Sequence, residues 1–235
     1  MDNHIIITRF NQSLNASFSP TNMYEGEDSW MAHRLRLFEK FTLKSWANQS
    51  DQHYHLFLIS DPNTPDQYKK ILNSYENLGI NLKILYTNEH CNSPKFLSLL
   101  KNKYLKYRNN TSSEVIISRC DNDDLVSIHY NTAVKQATQN NSVINLASGM
   151  TYDSFSHKAS LFFFPTSPFA SIKSSLEEFK SPFHKHHNEL KGSPVINEYP
   201  LWCWVIHDRN ANNSMKGTPI PNFNPNSLKF LFGYE

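Results

Sequence analysis

Short apolar segments alternate with helical patterns along the first half of the chain, and this alternation is the strongest constraint on its fold. Each apolar segment has the length and β-branched composition of a strand that is buried on both faces. Four such strands are expected, at residues 4–9, 55–60, 81–86 and 115–118. Strands separated by helices favour right-handed βαβ units, so we expect an α/β fold with a Rossmann-like, mainly parallel sheet flanked by helices.

The three segments between these strands each carry a helical signal. Residues 30–46 place their large apolar side chains on one stripe at helical spacing. Thr64 and Gln67 predict a capping box for a helix over about 65–77. A serine followed by proline predicts the start of a third helix over about 94–107.

The regular alternation fades in the last third of the chain. Strands are still expected at residues 143–147, 159–164 and 201–206, but segments rich in proline, serine and asparagine separate them. No repeat or low-complexity linker interrupts the sequence. We therefore expect a single domain over 1–235, in which the regular alternation of strands and helices ends at Ser148-Gly149.

The charges are nearly balanced. The chain has 23 lysine and arginine residues against 21 aspartate and glutamate residues, a formal net charge of +2, and no segment concentrates the positive charge. A nucleic-acid-binding surface normally needs a basic patch or stripe, so we expect no nucleic-acid partner. A small-molecule or glycan partner fits this composition better.

Two features bear on cellular location. Three cysteines, Cys91, Cys120 and Cys203, are odd in number and lack the spacing of a metal knuckle or redox pair, which favours a reducing compartment. The first residues show no signal-peptide pattern, and no segment approaches the ~18 apolar residues of a membrane helix. We expect a cytoplasmic protein with at most peripheral contact at the inner face of the membrane.

An acidic cluster follows the fourth predicted strand. Asp121, Asp123 and Asp124 come just after Arg119, at the end of a strand where open α/β sheets bind their ligands. Like charges at this spacing repel unless a cation or hydrogen-bond donors compensate them, and a hard divalent ion prefers oxygen ligands. The alternative is an acidic turn that leads into a helix over 128–139, whose dipole favours aspartate at its start.

Several sequence blocks resemble the rhamnosyltransferase family of GT-A-type bacterial glycosyltransferases. They occur in the family's order and cover most of the chain: Thr8-Arg9-Phe10-Asn11, residues 37–46, residues 118–124, Ser167-Pro168-Phe169 and residues 202–210. The resemblance implies a GT-A-like fold with a nucleotide-sugar-binding half at 1–148 and a smaller, mixed acceptor-binding half at 149–235. It also implies transfer of L-rhamnose from dTDP-L-rhamnose to a glycan or lipid-linked saccharide acceptor in O-antigen or capsule assembly.

The resemblance also implies roles for the acidic cluster. Asp121 would hold the ribose side of the nucleotide, and Asp123, with Asp121 beside it, would hold an Mn²⁺ or Mg²⁺ ion that bridges the two phosphates. Such an ion acts as a Lewis acid on the diphosphate as the glycosidic bond breaks. Asp124 is either a further ligand or a helix-start carboxylate.

Basic side chains supply further candidates. His207 follows an apolar strand and is a candidate metal ligand, with a hydrogen-bonded strand-end histidine as the alternative. Arg9 and Arg119 are candidates to bind the donor, because a guanidinium group matches phosphate oxygens. Arg34 is expected to be a helix-surface charge, and the histidines within 184–187 are expected on a mobile acceptor-side loop.

An inverting transfer needs a carboxylate that removes the proton of the acceptor hydroxyl group. Glu198 and Asp153 are the preferred candidates for this base, with Asp208 as a third. Glu198 is favoured over Asp153 because it closely precedes the block at 202–210. Two tryptophans in that block share a strand face and serve either as core or as a platform for a sugar ring.

Two other classes of function remain open on the sequence. A metal-dependent phosphodiesterase or other hydrolase could use the same aspartates to activate water, but His207 is the only further ligand candidate that the sequence suggests. A non-catalytic glycan-binding relative would keep the fold and lose the metal site. Intact Asp121 and Asp123 argue against that third class.

Overall fold

The computed structural model describes residues 3–12, 22–109, 111–210 and 214–234. Up to residue 137 the elements are, in chain order, β1 (His4–Arg9), α1 (Trp30–Leu37), α2 (Leu43–Ala47), β2 (His55–Ser60), α3 (Asp66–Ser74), β3 (Leu82–Tyr86), α4 (Pro94–Tyr107), β4 (Glu114–Arg119), β5 (Leu125–Val126) and α5 (Tyr130–Ala137). They are followed by β6 (Val143–Leu146), β7 (Ser148–Asp153), β8 (Ala159–Phe163), β9 (Ala170–Ser175), β10 (Ser193–Val195), β11 (Trp202–Ile206), β12 (Thr218–Pro219) and α6 (Ser227–Phe232). Short 3-10 turns occupy Tyr75–Asn77, Pro182–His184 and His187–Glu189, and a π-helical turn, Phe38–Thr42, joins α1 to α2.

Seven strands form the larger sheet, in the order β10-β6-β9-β4-β1-β2-β3. β1 pairs in parallel with β2 and β4, β2 pairs in parallel with β3, and β10 pairs in parallel with β6. β9 is antiparallel to both of its neighbours, β4 and β6. The predicted mainly parallel sheet is therefore confirmed. Every strand except β9 points the same way, so the carboxyl ends of β1, β4 and β10 share one edge.

Five strands form a smaller, mixed sheet, in the order β12-β8-β7-β11-β5. β7 pairs in parallel with β11, while β5 and β8 are antiparallel to their neighbours β11 and β7. The predicted end of the regular alternation, at Ser148-Gly149, coincides with the start of β7. The sheets do not divide there, because β9 and β10 return to the larger sheet and β5 belongs to the smaller one.

Burial of β1 on both faces explains its continuous apolar sequence. Ile5 and Ile7 pack on one face in a cluster with Phe96, and Ile6 packs on the other face in a cluster with Trp46. These three isoleucines have no exposed surface. A strand that is covered on both faces cannot alternate polar with apolar side chains, which is why the sequence shows a run instead of a period of two.

A tryptophan joins the two sheets. Trp202, on β11, is fully buried, stacks on Phe169 with ring centroids 5.1 Å apart, and donates its indole N–H to the Leu146 carbonyl at 2.7 Å. Gly149 lies against the same indole, and a Cβ atom at that position would be 2.2 Å from the ring. Glycine is required there by the close approach of the indole.

One helix cap predicted from the sequence is confirmed, and another is wrong. The Ser93 hydroxyl accepts the Phe96 N–H at 3.0 Å, so the predicted cap of α4 is confirmed. The capping box predicted at Thr64 is wrong, because α3 begins at Asp66 without a side-chain cap. Thr64 instead accepts from Asn11 Nδ2 at 2.8 Å and ties the end of β1 to the turn after β2.

Among the described residues, no helix is long and apolar enough to cross a membrane.

His4, the first residue of β1, belongs to a buried polar network. Its Nδ1 lies 2.6 Å from Asn131 Oδ1, and its Nε2 lies 2.6 Å from Ser118 Oγ. Burial lowers the pKa of His4 to about 4, from an ordinary value near 6.5. The imidazole is therefore neutral in the folded protein over a pH range where it is protonated in the unfolded chain.

This buried histidine predicts a loss of stability in mild acid. Between about pH 6.5 and pH 4 the unfolded chain takes up a proton that folded His4 excludes, so the free energy of unfolding falls as the pH falls, by up to about 3 kcal/mol. Urea unfolding at pH 7 and pH 4.5 measures this difference. A His4→Gln variant cannot titrate and should lose that part of the pH dependence. Equal pH dependence in both proteins would contradict the assignment.

Candidate active site

A cleft of about 570 Å³ opens at the edge of the larger sheet where β1 and β4 end. Arg9 and Arg119 are the last residues of these strands, and both line the cleft. Most of the remaining lining is basic or aromatic, and Asp121 is its one acidic side chain among the described residues: Asn92, Asp121, Pro168, Phe183, His184, Lys185, His186, His187, Trp204 and Lys216. The structure thus brings three predicted donor-binding residues, Arg9, Arg119 and Asp121, into one cleft.

Both arginines pack on the same aromatic ring. The guanidinium carbon of Arg9 lies 5.1 Å from the Phe183 ring centroid, and that of Arg119 lies 4.9 Å from it. Burial lowers the pKa of Arg119, an effect that the nearby charge of Asp121 opposes. Arg119 Nε is buried without a hydrogen-bond partner among the described residues. The cleft therefore holds cationic donors that form no ion pair with any described residue.

Asp123 contacts α1 through Arg34. Its Oδ2 accepts from Arg34 Nη1 and lies 3.1 Å from His207 Nε2. Burial would raise the pKa of Asp123, but the charge of Arg34 and the hydrogen bond with His207 hold it at about 2. Arg34 also donates to Asn122 Oδ1 at 3.2 Å, and Asn122 Nδ2 donates to the Phe10 carbonyl at 3.0 Å. These bonds fix the acidic loop between β1 and α1.

Asp124 has a structural environment. Its Oδ1 accepts the Val205 N–H at 3.0 Å, and its carbonyl accepts the Thr42 hydroxyl at 2.8 Å. Burial, together with the charges of Asp123 and Asp121, raises the pKa of Asp124 well above its ordinary range. A buried carboxyl group that favours its neutral form is a poor ligand for a hard cation. Of the two roles left open for Asp124, the geometry favours the structural one.

His207 stands at the centre of a group of metal-capable side chains. Its imidazole lies beside Asp123 on one side, and its ring centroid is 5.5 Å from that of His33 on α1. Potential ligand atoms of His33, His207 and Asp208 all lie within 4.8 Å of one another. Asn210 Nδ2 lies 2.9 Å from His207 Nε2, and the Arg209 N–H donates to Nδ1 at 3.2 Å. The imidazole is thus held from several directions.

The structure separates the two preferred carboxylates for the base. Asp153 ends β7, and its oxygens accept from Ser156 Oγ at 2.7 Å and from the Phe155 N–H at 2.9 Å. The Ser156 hydrogen bond lowers the pKa of Asp153, whose carboxylate closes a tight turn. Glu198 lies three residues beyond β10, on the sheet edge that carries the cleft, and its exposed side chain has no hydrogen bond among the described residues. Neither carboxylate lines the cleft.

One part of the site differs from the sequence-based expectation. Arg34 is not a helix-surface charge; its side chain is only 12% exposed and forms the ion pair with Asp123. His184 and His187 belong to two short 3-10 turns, His186 lies between these turns, and all three histidines line the cleft. The sequence gives no signal for Lys216, because no predicted strand or helix flanks it. Trp204 reaches the cleft, whereas Trp202 is core.

The chain matches one protein family over most of its length. The family model described as "Putative rhamnosyl transferase" covers residues 5–214. No curated protein matches the chain.

Solved structures share the fold at low sequence identity. Staphylococcus aureus TarS 1-349 in complex with UDP-GlcNAc has a TM-score of 0.52 at 9% identity, over 88% of this chain and 60% of that chain. The same TarS fragment in complex with UDP gives a TM-score of 0.47 at 12% identity, over 87% of this chain and 60% of that chain. The chain thus spans about 60% of the length of these TarS structures. The first of them shows that this chain shares its fold.

Proposed function

The chain belongs to the rhamnosyl transferase family, and on that premise we propose that it is a metal-dependent glycosyltransferase of the nucleotide-sugar type. It transfers L-rhamnose from dTDP-L-rhamnose, with inversion, to a bacterial surface-glycan acceptor. The observation that carries the proposal is the convergence of Arg9, Arg119 and Asp121 at the carboxyl ends of β1 and β4. Ligands of open α/β sheets bind at this edge.

The arginines are the proposed contacts of the donor. Arg9 and Arg119 present guanidinium groups without an ion-pair partner among the described residues, and phosphate oxygens match their forked N–H donors. Packing on Phe183 fixes both groups before a ligand arrives. Asp121, the acidic side chain of the cleft, accepts from the ribose hydroxyl groups. Because the donors are already oriented, they can stabilise the charge of the leaving diphosphate with little reorganisation.

The residues around Asp123 fit a divalent ion, Mn²⁺ or Mg²⁺. Asp123 Oδ2 and His207 Nε2 are 3.1 Å apart, close to the ~3 Å that separates adjacent ligands around an ion with bonds of about 2.1 Å. Asp121 is the third proposed ligand, and it would have to move toward the ion, because the group of three potential ligand atoms within 4.8 Å of one another among the described residues is His33, His207 and Asp208. Arg34 neutralises the same Asp123 oxygen, so the ion must share or replace that partner. When bound, the ion would supply Lewis-acid stabilisation of the diphosphate leaving group.

Glu198 is the proposed general base. Its carboxylate is exposed and has no hydrogen bond among the described residues, so it can accept a proton from an acceptor hydroxyl group. Asp153 is less suited, because hydrogen bonds within its own turn already occupy its oxygens. The proton then moves from the acceptor oxygen to Glu198 as that oxygen bonds to the anomeric carbon and the nucleoside diphosphate leaves.

Ligand-dependent stabilisation tests the donor and the ion together. Nucleoside diphosphates should raise the melting temperature more with Mn²⁺ than in EDTA, because the ion would join the diphosphate to Asp123 and His207. A ligand at a hundredfold excess over its dissociation constant stabilises by about 2.7 kcal/mol, which a melting curve resolves. Equal shifts in Mn²⁺ and in EDTA would overturn the metal dependence. Stronger stabilisation by UDP- or GDP-sugars than by dTDP-L-rhamnose would overturn the donor assignment.

A metal-dependent phosphodiesterase is the second candidate, and one observation favours it. The structure places His33 and Asp208 beside His207, which supplies the grouped ligands that the sequence alone does not show. The products separate the two functions. A glycosyltransferase incubated with donor and acceptor releases the nucleoside diphosphate, whereas a phosphodiesterase cleaves the diphosphate and releases the nucleoside monophosphate.

A further inference from the structure

We propose that the acceptor is an acidic glycan, whose carboxylate or phosphate group binds Lys216. This inference rests on the proposed function and names the substrate class of the same cleft. The first reason is the charge of the cleft. Its lining contains four permanently cationic side chains, Arg9, Arg119, Lys185 and Lys216, against one carboxylate, Asp121.

These cations have no ion-pair partner in the part of the chain that the structure describes. Elsewhere on the surface, lysines pair with carboxylates, as Lys135 does with Asp51 at 2.8 Å and Lys83 with Glu76 at 3.5 Å. Within the described ranges, neither Lys185 nor Lys216 has such a partner within 4.0 Å. Cations that face one another across a cleft repel in the free protein, so they favour an anionic ligand there.

The donor alone does not account for this charge. A sugar nucleotide carries about two negative charges on its diphosphate, and one divalent ion balances them. A donor bound with its ion is therefore close to neutral, and the cleft retains its excess of positive charge. A neutral acceptor would leave Lys185 and Lys216, exposed cations in the lining of the cleft, without an anionic partner among the described residues.

The backbone of Lys216 is held in place by the side chain of Thr151. The buried hydroxyl group of Thr151 donates to the Lys216 carbonyl at 3.0 Å and accepts the Lys216 N–H at 3.3 Å. Gly217 follows with φ +92°, and a Cβ atom there would be 2.0 Å from the Leu161 carbonyl oxygen. This turn therefore requires glycine after Lys216. The ammonium group lies 5.4 Å from the Trp204 ring centroid.

Aromatic and imidazole groups complete the subsite. Trp204 packs against Phe164 with centroids 5.7 Å apart, and Phe164 packs against His187 at 5.7 Å. His187 Nδ1 donates to the Thr166 carbonyl, which leaves Nε2 as the nitrogen with a free lone pair. Burial lowers the pKa of His187, so the ring is neutral near pH 7 and can accept from a sugar hydroxyl group. A cation and a neutral hydroxyl acceptor in one cleft suit an acidic sugar.

Binding of simple sugars to the nucleotide-loaded protein tests this proposal. Glucuronate, glucose 6-phosphate and glucose are titrated by NMR against protein saturated with Mn²⁺ and with UDP or dTDP in parallel. At least one acidic sugar should bind roughly tenfold more tightly than glucose, the size of a charge-assisted hydrogen bond. The two acidic sugars distinguish a carboxylate from a phosphate acceptor.

Three variants sharpen the result. Lys216→Gln should abolish the preference for the acidic sugar, Lys216→Arg should retain most of it, and Lys70→Gln, on the exposed side of α3, should leave it unchanged. Equal binding of glucose and both acidic sugars, or a preference that survives Lys216→Gln, would overturn the proposal. So would displacement of the nucleotide by the acidic sugar, which would assign these cations to the donor. Failure of both nucleotides to bind would instead count against the proposed function.

Discussion

An Asp123→Asn variant is expected to lose transferase activity and to be less stable than the wild-type protein. Asparagine keeps the shape of the side chain but removes the charge that pairs with Arg34 and that would hold a divalent ion. Arg34 would then be a largely buried cation without a partner, which costs about 2–3 kcal/mol of stability. Thermal unfolding, Mn²⁺-dependent nucleotide binding and sugar transfer measure the three effects.

The sign of the stability change corrects an expectation drawn from the sequence. Crowded carboxylates suggest that removing one charge relieves repulsion, so stability should be equal or higher. The structure pairs Asp123 with Arg34 and His207, and its depressed pKa means that ionised Asp123 stabilises the fold. This contribution is present above about pH 4 and is lost as the pH falls toward 2.

Asp124→Asn is the matched control. An asparagine oxygen can still accept the Val205 N–H, and the buried carboxyl group already favours its neutral form. In EDTA at pH 7 this variant should be at least as stable as the wild-type protein, opposite in sign to Asp123→Asn. If both variants lose the same stability, the ion pair with Arg34 is not the cause. If Asp123→Asn binds nucleotide and metal normally, the acidic loop is a turn and not an active site.

Glu198→Gln is expected to reduce the rate of transfer by roughly 10²–10⁴-fold, because loss of general-base assistance typically has that size. Glutamine keeps the length of the side chain but cannot take the acceptor proton. Glu198 is exposed and has no contact that holds the fold, so melting temperature and donor affinity should change little. Steady-state transfer and nucleotide titration separate the loss of turnover from any loss of binding.

Asp153→Asn provides the comparison. Its carboxylate closes the turn after β7, so the variant should lose some stability and keep its turnover number. Wild-type turnover in Glu198→Gln, combined with a large loss in Asp153→Asn, would move the base to Asp153. Wild-type turnover in both variants would require a different base, and Asp208 would then be the next carboxylate to replace.

The parallel half of the fold could be predicted because burial on both faces leaves a local signature. β1, β2 and β4 are continuous apolar runs, and each has the predicted position to within one residue at either end. β9 has no such signature. Its sequence, Ala-Ser-Ile-Lys-Ser-Ser, is polar because Ser171 and Ser174 are buried in hydrogen bonds, including Ser171 with Ser118 on β4. Only long-range pairing makes this segment a strand.

The site could be predicted where it follows a strand end and could not where it depends on distant contacts. Arg9, Arg119 and Asp121 meet because parallel strands end at one edge, which the order of elements already implies. The partnership of Arg34 with Asp123 joins residues 89 positions apart. A helical arginine on an amphipathic segment looks like any other solvent-facing charge until the acidic loop is placed against it.

The π-helical turn between α1 and α2 makes the spacing of the helix a determinant of the site. Arg34, on α1 before this turn, contacts Asp123, and Thr42, the last residue of the turn, contacts the Asp124 carbonyl. In a regular α-helix, residues eight positions apart differ by about 80° around the axis. The Leu43 N–H bonds to Phe38 O, five residues back. Because this wider turn contains one extra residue, Arg34 and Thr42 differ by only about 20° around the helix axis. The alignment of Arg34 and Thr42 on the acidic loop therefore depends on the number of residues between them. If an insertion or deletion changes that number, no amino-acid substitution can restore the alignment.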